Sequence, residues 1–248
     1  MRRAQIMSSE IILDADVTPL GPTQPQRRET RRPHSSAAES VEEQENTGAD
    51  PSSLLILSLD DLSMSNPIRL LVCSIGNPAP YTNTLHSAGH TVLSVLASSL
   101  ASSSFQRDRA YGNGVVARSP DYTLWQSKSL MNVSGAGVSA AWRQFQRESR
   151  GEQTKLVVVH DELELPVGDV KVRDGGASAK GHNGLKDIAK CLPGQKYKRI
   201  GVGIGRPESR DPNVVASYVL RKMSAAERMK IERAWEKVDE ELRKMQGA

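Results

Sequence analysis

A chain of 248 residues with 38% apolar content has room for one sizeable hydrophobic core and falls in the globular class. Its two cysteines, Cys73 and Cys191, lie far apart and outside any CxxC spacing, which excludes a sequence-readable zinc site and a disulfide framework and makes a reducing, intracellular setting the default. The net charge of +4 hides a partition: residues 1–66 carry six Arg, no Lys and eleven acidic residues (net −5), leaving 27 basic and 18 acidic residues (net +9) for the rest.

In chain order, residues 1–66 are rich in Ser, Pro, Gln, Glu and Arg and show no sustained apolar period. Such a segment buries too little to offset its ordering entropy, and the composition predicts a disordered acidic extension. No secretory signal follows Arg2 and Arg3, and the apolar run 54–59 is too short to span a bilayer. Glu10, Asp14 and Asp16 arrive too early for a mitochondrial presequence, which leaves the cytoplasm as the expected location and the mitochondrion as the alternative. From Pro67 to residue 248 the pattern is that of a folded domain. Ile68–Ile75 reads as a buried strand ended by the turn Gly76-Asn77-Pro78. Val92, Leu93, Leu96 and Leu100 recur at helical spacing after His86. A strand is expected at Tyr122–Trp125, then a helix carrying Val138, Ala141, Trp142 and Phe145. Leu156–His160, with three β-branched residues in a row, is the clearest strand and suits a sheet buried on both faces. A helix should run from near His182 to about Leu192, and Ile200–Ile204 is a Gly-interrupted strand. Ser224 with Glu227 forms a capping box, and Ile231, Ala234, Trp235, Val238, Leu242 and Met245 then make one apolar stripe. Strands alternating with helices predict a single α/β domain of three layers, a mixed, mainly parallel central sheet flanked by helices.

In such sheets ligands bind outside the carboxyl ends of the strands. Asn77, Asn132 and the pair His160-Asp161 each follow a predicted strand, His86 opens the first helix, and the polar loop Gly175–Asn183 opens another. A neutral histidine can take a proton from water when its other nitrogen is held by an acceptor, and an ionised Asp161 would be that acceptor. Asparagine amides can donate to a developing oxyanion. With no GxSxG, CxxC or HExxH motif in the sequence, water attack on an ester under base catalysis is the chemistry this set favours. Each residue alone has a plainer reading: His86 as a cap or surface group, Asp161 as a turn cap, Asn77 and Asn183 as local backbone partners. The basic domain points to a polyanionic partner, nucleic acid first, with a merely soluble basic surface as the alternative.

Read together, these segments resemble the bacterial-type peptidyl-tRNA hydrolase family. Gly76-Asn77-Pro78, Tyr81 and Thr84-Leu85-His86 look like the family's GNPG…Y…TRHN segment. Met131-Asn132-Val133-Ser134-Gly135 looks like MNLSG, His160–Pro166 like HDELDLP, Gly181–Leu185 like GHNGL, and Gly203–Pro207 like GIGRP. The resemblance runs from about Leu70 to about Leu242, and the ordered set is far more specific than any one motif. It implies a phosphorylase/hydrolase-like fold and an enzyme that cleaves the ester between a peptide and the 3′ end of tRNA, as a monomer without metal or organic cofactor and without a membrane partner. It makes His86 the base and Asp161 its partner, with Asn77 as a further catalytic residue. Tyr81, Met131, Asn132, Asn183 and His182 would contact peptide or tRNA, with Asn132 also a candidate for the oxyanion and Asn183 for the catalytic water.

The sequence departs from the family at several positions. Leu85 and Ser87 replace the Arg and Asn that flank the catalytic His, and the stretch from Asn77 to His86 is one residue shorter than the common bacterial form. Lys171 matches a residue that grips the tRNA 5′-phosphate, but its usual Arg companion aligns with Gly201, so Arg199, Lys198 or Lys180 would supply that charge. The acidic extension lies outside the bacterial pattern and suggests a eukaryotic, fungal-type member. Two readings compete with hydrolysis of peptidyl-tRNA: a noncatalytic tRNA- or ribosome-associated relative, and an esterase for another nucleotide-linked acyl group.

Overall fold

The computed structural model describes residues 68–247, so the expectations for residues 1–66 lie outside the described residues. The chain enters the sheet at β1 (Arg69–Ser74), whose last five residues are all buried. It leaves through the 3-10 turn Leu85–Ser87 into α1 (Ala88–Ser99). Three strands follow, β2 (Gln106–Arg107), β3 (Gly114–Arg118) and β4 (Tyr122–Ser127). A further 3-10 turn, Met131–Val133, opens α2 (Gly135–Glu148). Then come β5 (Thr154–Glu162), β6 (Val170–Asp174), α3 (Asn183–Cys191) and β7 (Lys198–Gly203). The chain closes with α4 (Pro212–Leu220) and α5 (Ala225–Gln246).

The seven strands form one sheet in the order β2-β3-β4-β1-β5-β7-β6. Its centre, β4-β1-β5-β7, is parallel, and the strands added at both edges are antiparallel. Central strands covered on both faces need apolar side chains in both directions, which is why β1 and β5 carry unbroken apolar runs. One face packs Leu70, Val72, Val157, Val159, Ile200 and Val202 against α1 and α5. The other packs Leu71, Cys73, Trp125, Leu156 and Val158 against α2 and α3. The expected α/β domain of three layers with a mixed central sheet is thus the one observed.

Every strand and helix expected from the sequence is present. The elements not expected are β2, β3, β6 and α4. The edge strands are short and half exposed, so their alternation, as in Val170-Lys171-Val172-Arg173, gives a weak signal. The start of α4 is chemically marked: Asp211 accepts hydrogen bonds from the Asn213 and Val214 amides, and Pro212 sits in the first turn.

Parallel β1 and β5 are neighbours, yet the helix after β1 covers one face of the sheet and the helix before β5 covers the other. This change of side opens a crevice above the carboxyl ends of the two strands. At its floor, α1 meets β5 at Gly89, where a Cβ would stand 2.7 Å from the Val159 carbonyl oxygen. Only glycine allows that approach, and the approach brings the residues before α1 over the end of β5.

Candidate active site

His86, on the 3-10 turn before α1, and Asp161, near the end of β5, meet in this crevice. His86 Nδ1 lies 2.9 Å from both carboxylate oxygens of Asp161, which is 3% exposed. His182 approaches the same carboxylate from the other side, its Nε2 3.0 Å from Oδ1. His182 is also the N-cap of α3, where its Nδ1 accepts the Leu185 amide at 3.4 Å. That acceptor role fixes its proton on Nε2, so His182 donates to Asp161. His86 likewise donates from Nδ1, which leaves its Nε2 with a lone pair, the state a general base requires.

Burial pulls the His86 pKa down, but the charge of Asp161 and the hydrogen bond to it pull harder, leaving it above the ordinary imidazole value. Burial would raise the Asp161 carboxyl, yet the charges and hydrogen bonds of His86 and His182 hold it well below the usual carboxylate range. The carboxylate therefore stays ionised and supports an imidazolium on His86 when one forms. The relevant atoms of His86, Asp161 and His182 lie within 4.8 Å of one another, a spacing open to a divalent ion, although the two imidazole–carboxylate hydrogen bonds account for the same closeness.

The loop before α3 turns sharply to deliver His182. Lys180 has φ 45° and Gly181 has φ 89°, two consecutive residues on the left-handed side. For the non-glycine Lys180 this is a strained choice, of the kind tolerated where a site needs it. A cavity of about 420 Å³ is lined by His86, Asp161, His182 and Asn183 on one side and by Val215, Val219 and Leu220 of α4 on the other. An Arg206–Glu164 ion pair also lines it. Its wall is thus partly apolar, a contribution of α4 that the sequence reading missed along with the helix itself.

The other expected residues divide into two groups. Asn77 is buried, and its Oδ1 accepts the Met131 amide at 2.8 Å, which leaves its Nδ2 to donate. Met131 is buried while Asn132 beside it is exposed, and their turn packs against α3, which begins at Asn183. Tyr81 is 41% exposed at the edge of the same loop. The departures at Leu85 and Ser87 have a structural use. Leu85 is wholly buried in the core, and Ser87 Oγ accepts the Asn77 amide at 3.1 Å while donating to the Tyr81 carbonyl at 2.9 Å. Ser87 thus ties the Asn77–Tyr81 loop to the turn that carries His86, a role its identity alone did not reveal.

The basic candidates are rearranged. Lys171 is exposed on β6, directly opposite Gly201 in register. Arg199 is 2% exposed, and its Nη2 donates to the Ser178 carbonyl at 2.6 Å. It braces the 175–183 loop from beneath, and burial corrects the expectation that it grips a phosphate. Lys198 pairs with Asp174 at 2.6 Å, whereas Lys180 is exposed on the rim of the cavity and makes no ion pair among the described residues. His160, the residue before Asp161, also lines the cavity, its ring edge-on to that of His182 with centroids 5.2 Å apart: it is 2% exposed, its Nδ1 donates to the Asp161 carbonyl at 2.7 Å, and burial with neighbouring His182 pushes its pKa down to about 3.

Comparison with known proteins gives a consistent result. The family model described as Peptidyl-tRNA hydrolase matches residues 71–247. A peptidyl-tRNA hydrolase of Neisseria gonorrhoeae is 41% identical over 174 residues, covering 69% of this chain and 86% of that one. One from Frankia alni is 41% identical over 164 residues, covering 65% and 79%. Among solved structures, the peptidyl-tRNA hydrolase of Acinetobacter baumannii superposes with a TM-score of 0.58 at 29% identity, over 72% of this chain and 88% of that one.

Proposed function

From the premise that the chain belongs to the peptidyl-tRNA hydrolase family, we propose that His86, held by Asp161, activates water against the ester joining a peptide to the 3′ end of tRNA. The protein is a hydrolase acting on a carboxylic ester. The observation that supports the mechanism is the shared carboxylate, with His86 Nδ1 at 2.9 Å and His182 Nε2 at 3.0 Å, which together leave His86 Nε2 free as base.

In the proposed reaction, water lies between His86 Nε2 and the Asn183 amide. Its oxygen attacks the ester carbonyl carbon as Nε2 takes its proton, and the carbonyl electrons move onto oxygen. The Asn132 amide, with Asn77 Nδ2, donates to that oxyanion. Collapse breaks the bond to the ribose oxygen, which leaves with the proton from the His86 imidazolium, releasing free peptide and tRNA. Asp161 keeps its charge throughout. Lys171, with Lys180 in place of the missing arginine, is assigned to the tRNA phosphates, and Tyr81 and Met131 to the peptide side. A noncatalytic relative would have no use for a base whose tautomer is fixed by a buried carboxylate.

We further read residues 1–66, which precede the matched span 71–247, as dispensable for the chemistry and as the mark of a eukaryotic, fungal-type member. We place it in the cytoplasm as a monomer; among the described residues no helix is long and apolar enough to cross a membrane. The test is release of tRNA from an N-acylated aminoacyl-tRNA by the purified chain. His86→Ala should lose nearly all of the rate, and full activity in that variant would refute the mechanism.

A further inference from the structure

A second cavity, about 590 Å³, lies between α1, the residues just past β4 and the start of α5. Three cations line it, Lys128, Lys222 and Arg228, all exposed. Glu232 is the one acidic lining residue, and it pairs with Arg228 at 2.7 Å. Lys128 and Lys222 make no ion pair among the described residues, so the groove carries uncompensated positive charge. Between the cations lie the neutral side chains of Thr82, Asn83 and Thr91, while Gln126 beneath them donates to the His90 carbonyl at 3.1 Å and to Ser94 Oγ at 2.9 Å. Its floor is His90, whose Nδ1 meets Ser74 Oγ at 2.8 Å; burial, with Lys128 nearby, pushes its pKa down to about 4 and keeps it uncharged. Two unpaired lysines at the rim with a few neutral side chains between them suit a run of phosphodiesters, where cations and hydroxyl or amide side chains share the phosphate oxygens.

The groove is also wired to the catalytic base. Thr84 and Lys222 form an isolated antiparallel bridge. On either side of it the Leu85 amide donates to the Arg221 carbonyl at 3.2 Å, and the Met223 amide donates to the Asn83 carbonyl at 3.0 Å. Residues 83–85, which lead directly into His86, are therefore held by the same segment that presents Lys222 to the groove.

We propose that this groove binds the RNA phosphate backbone of the tRNA substrate, through Lys128 and Lys222, as a contact separate from the Lys171 side of the domain. The inference rests on the reading of the chain as a peptidyl-tRNA hydrolase and adds a second, independently charged RNA surface to it.

The test is direct binding of a fluorescent acceptor-stem RNA hairpin, with no ester attached, to the full chain over a range of salt. It compares wild type with Lys128→Gln/Lys222→Gln and with Lys190→Gln/Lys196→Gln, a pair of exposed lysines outside the groove. Two lost phosphate contacts should make the log–log salt dependence shallower by about 1.4–1.8 and weaken binding roughly 15–30-fold at 0.15 M salt. The control pair should keep the wild-type slope. An unchanged slope in the groove variant, an equal loss in the control pair, or displacement of the hairpin by low-millimolar inorganic phosphate would each overturn the proposal. Both substituted lysines are exposed and unpaired, so matching thermal melts will confirm that folding is retained. Turnover of N-acylated aminoacyl-tRNA by wild type is scored separately: its absence would defeat the enzymatic reading while leaving the binding result to decide the groove.

Discussion

Replacing Asp161 by asparagine keeps the side-chain volume but removes one charge and one acceptor. In the native site a single carboxylate accepts from His86 Nδ1 at 2.9 Å and from His182 Nε2 at 3.0 Å. An asparagine offers one acceptor oxygen, and its NH2 must face one of the two imidazoles, which then has to present a lone pair. His182 is poorly placed to change, because its Nδ1 already accepts the Leu185 amide. His86 has no such second commitment to a described residue, so its proton moves to Nε2 and the base is lost. A base locked in the wrong tautomer costs roughly 10³–10⁴ in rate, about 4–5.5 kcal/mol of transition-state stabilisation. The pH dependence carries the sign. In wild type, kcat/KM should rise with pH through a midpoint above the ordinary imidazole value, because His86 must lose its proton to act and Asp161 holds that proton on. In Asp161→Asn burial still lowers the His86 pKa, but the charge that, together with the hydrogen bond, outweighed it is gone, so the remaining acid limb should move to lower pH. The assay is kcat/KM for an N-acylated aminoacyl-tRNA from pH 5 to 9, at one ionic strength. A variant that keeps more than a tenth of the wild-type value, or whose acid limb stays in place, would refute the assigned tautomers.

The remaining predictions probe the supports of the site. His182→Ala removes both the second donor to Asp161 and the cap of α3; kcat should fall roughly 10–100-fold, the scale of losing an outer partner that orients a functional group. The unfolding free energy of the same variant should fall by about 1 kcal/mol through the lost cap, read from urea denaturation. Gly203→Ala places a Cβ 1.9 Å from the Pro166 carbonyl oxygen, in the loop that follows Asp161, and should cost at least about 1–3 kcal/mol of stability. Gly176→Ala meets nothing within 4 Å and should stay within about 0.5 kcal/mol of wild type in the same assay, so equal effects from the two would contradict the packing described.

Much of this protein was legible in the sequence because local chemistry and burial pointed the same way. Residues 70–73 and 156–159 are apolar on both pleats because both faces are covered, and the Ser224–Glu227 box caps α5 as its spacing requires. The pairing of His86 with Asp161, 75 residues apart, was inferred from each standing at an element end on the carboxyl side of the sheet, a consequence of topology that motif order can carry. Tertiary structure alone decided the rest. Arg199 reads as a surface cation until β6 pairing and the 175–183 loop bury it beneath Ser178. That His182 also donates to Asp161 follows only from the left-handed turn at Lys180 and Gly181 that delivers it there. Ser87 reads as a lost asparagine until its hydroxyl is seen joining Asn77 to Tyr81. A linear pattern reports which side chains are apolar and where the backbone turns. Which polar groups share a buried partner depends on contacts between residues distant in sequence, and those exist only once the sheet has assembled.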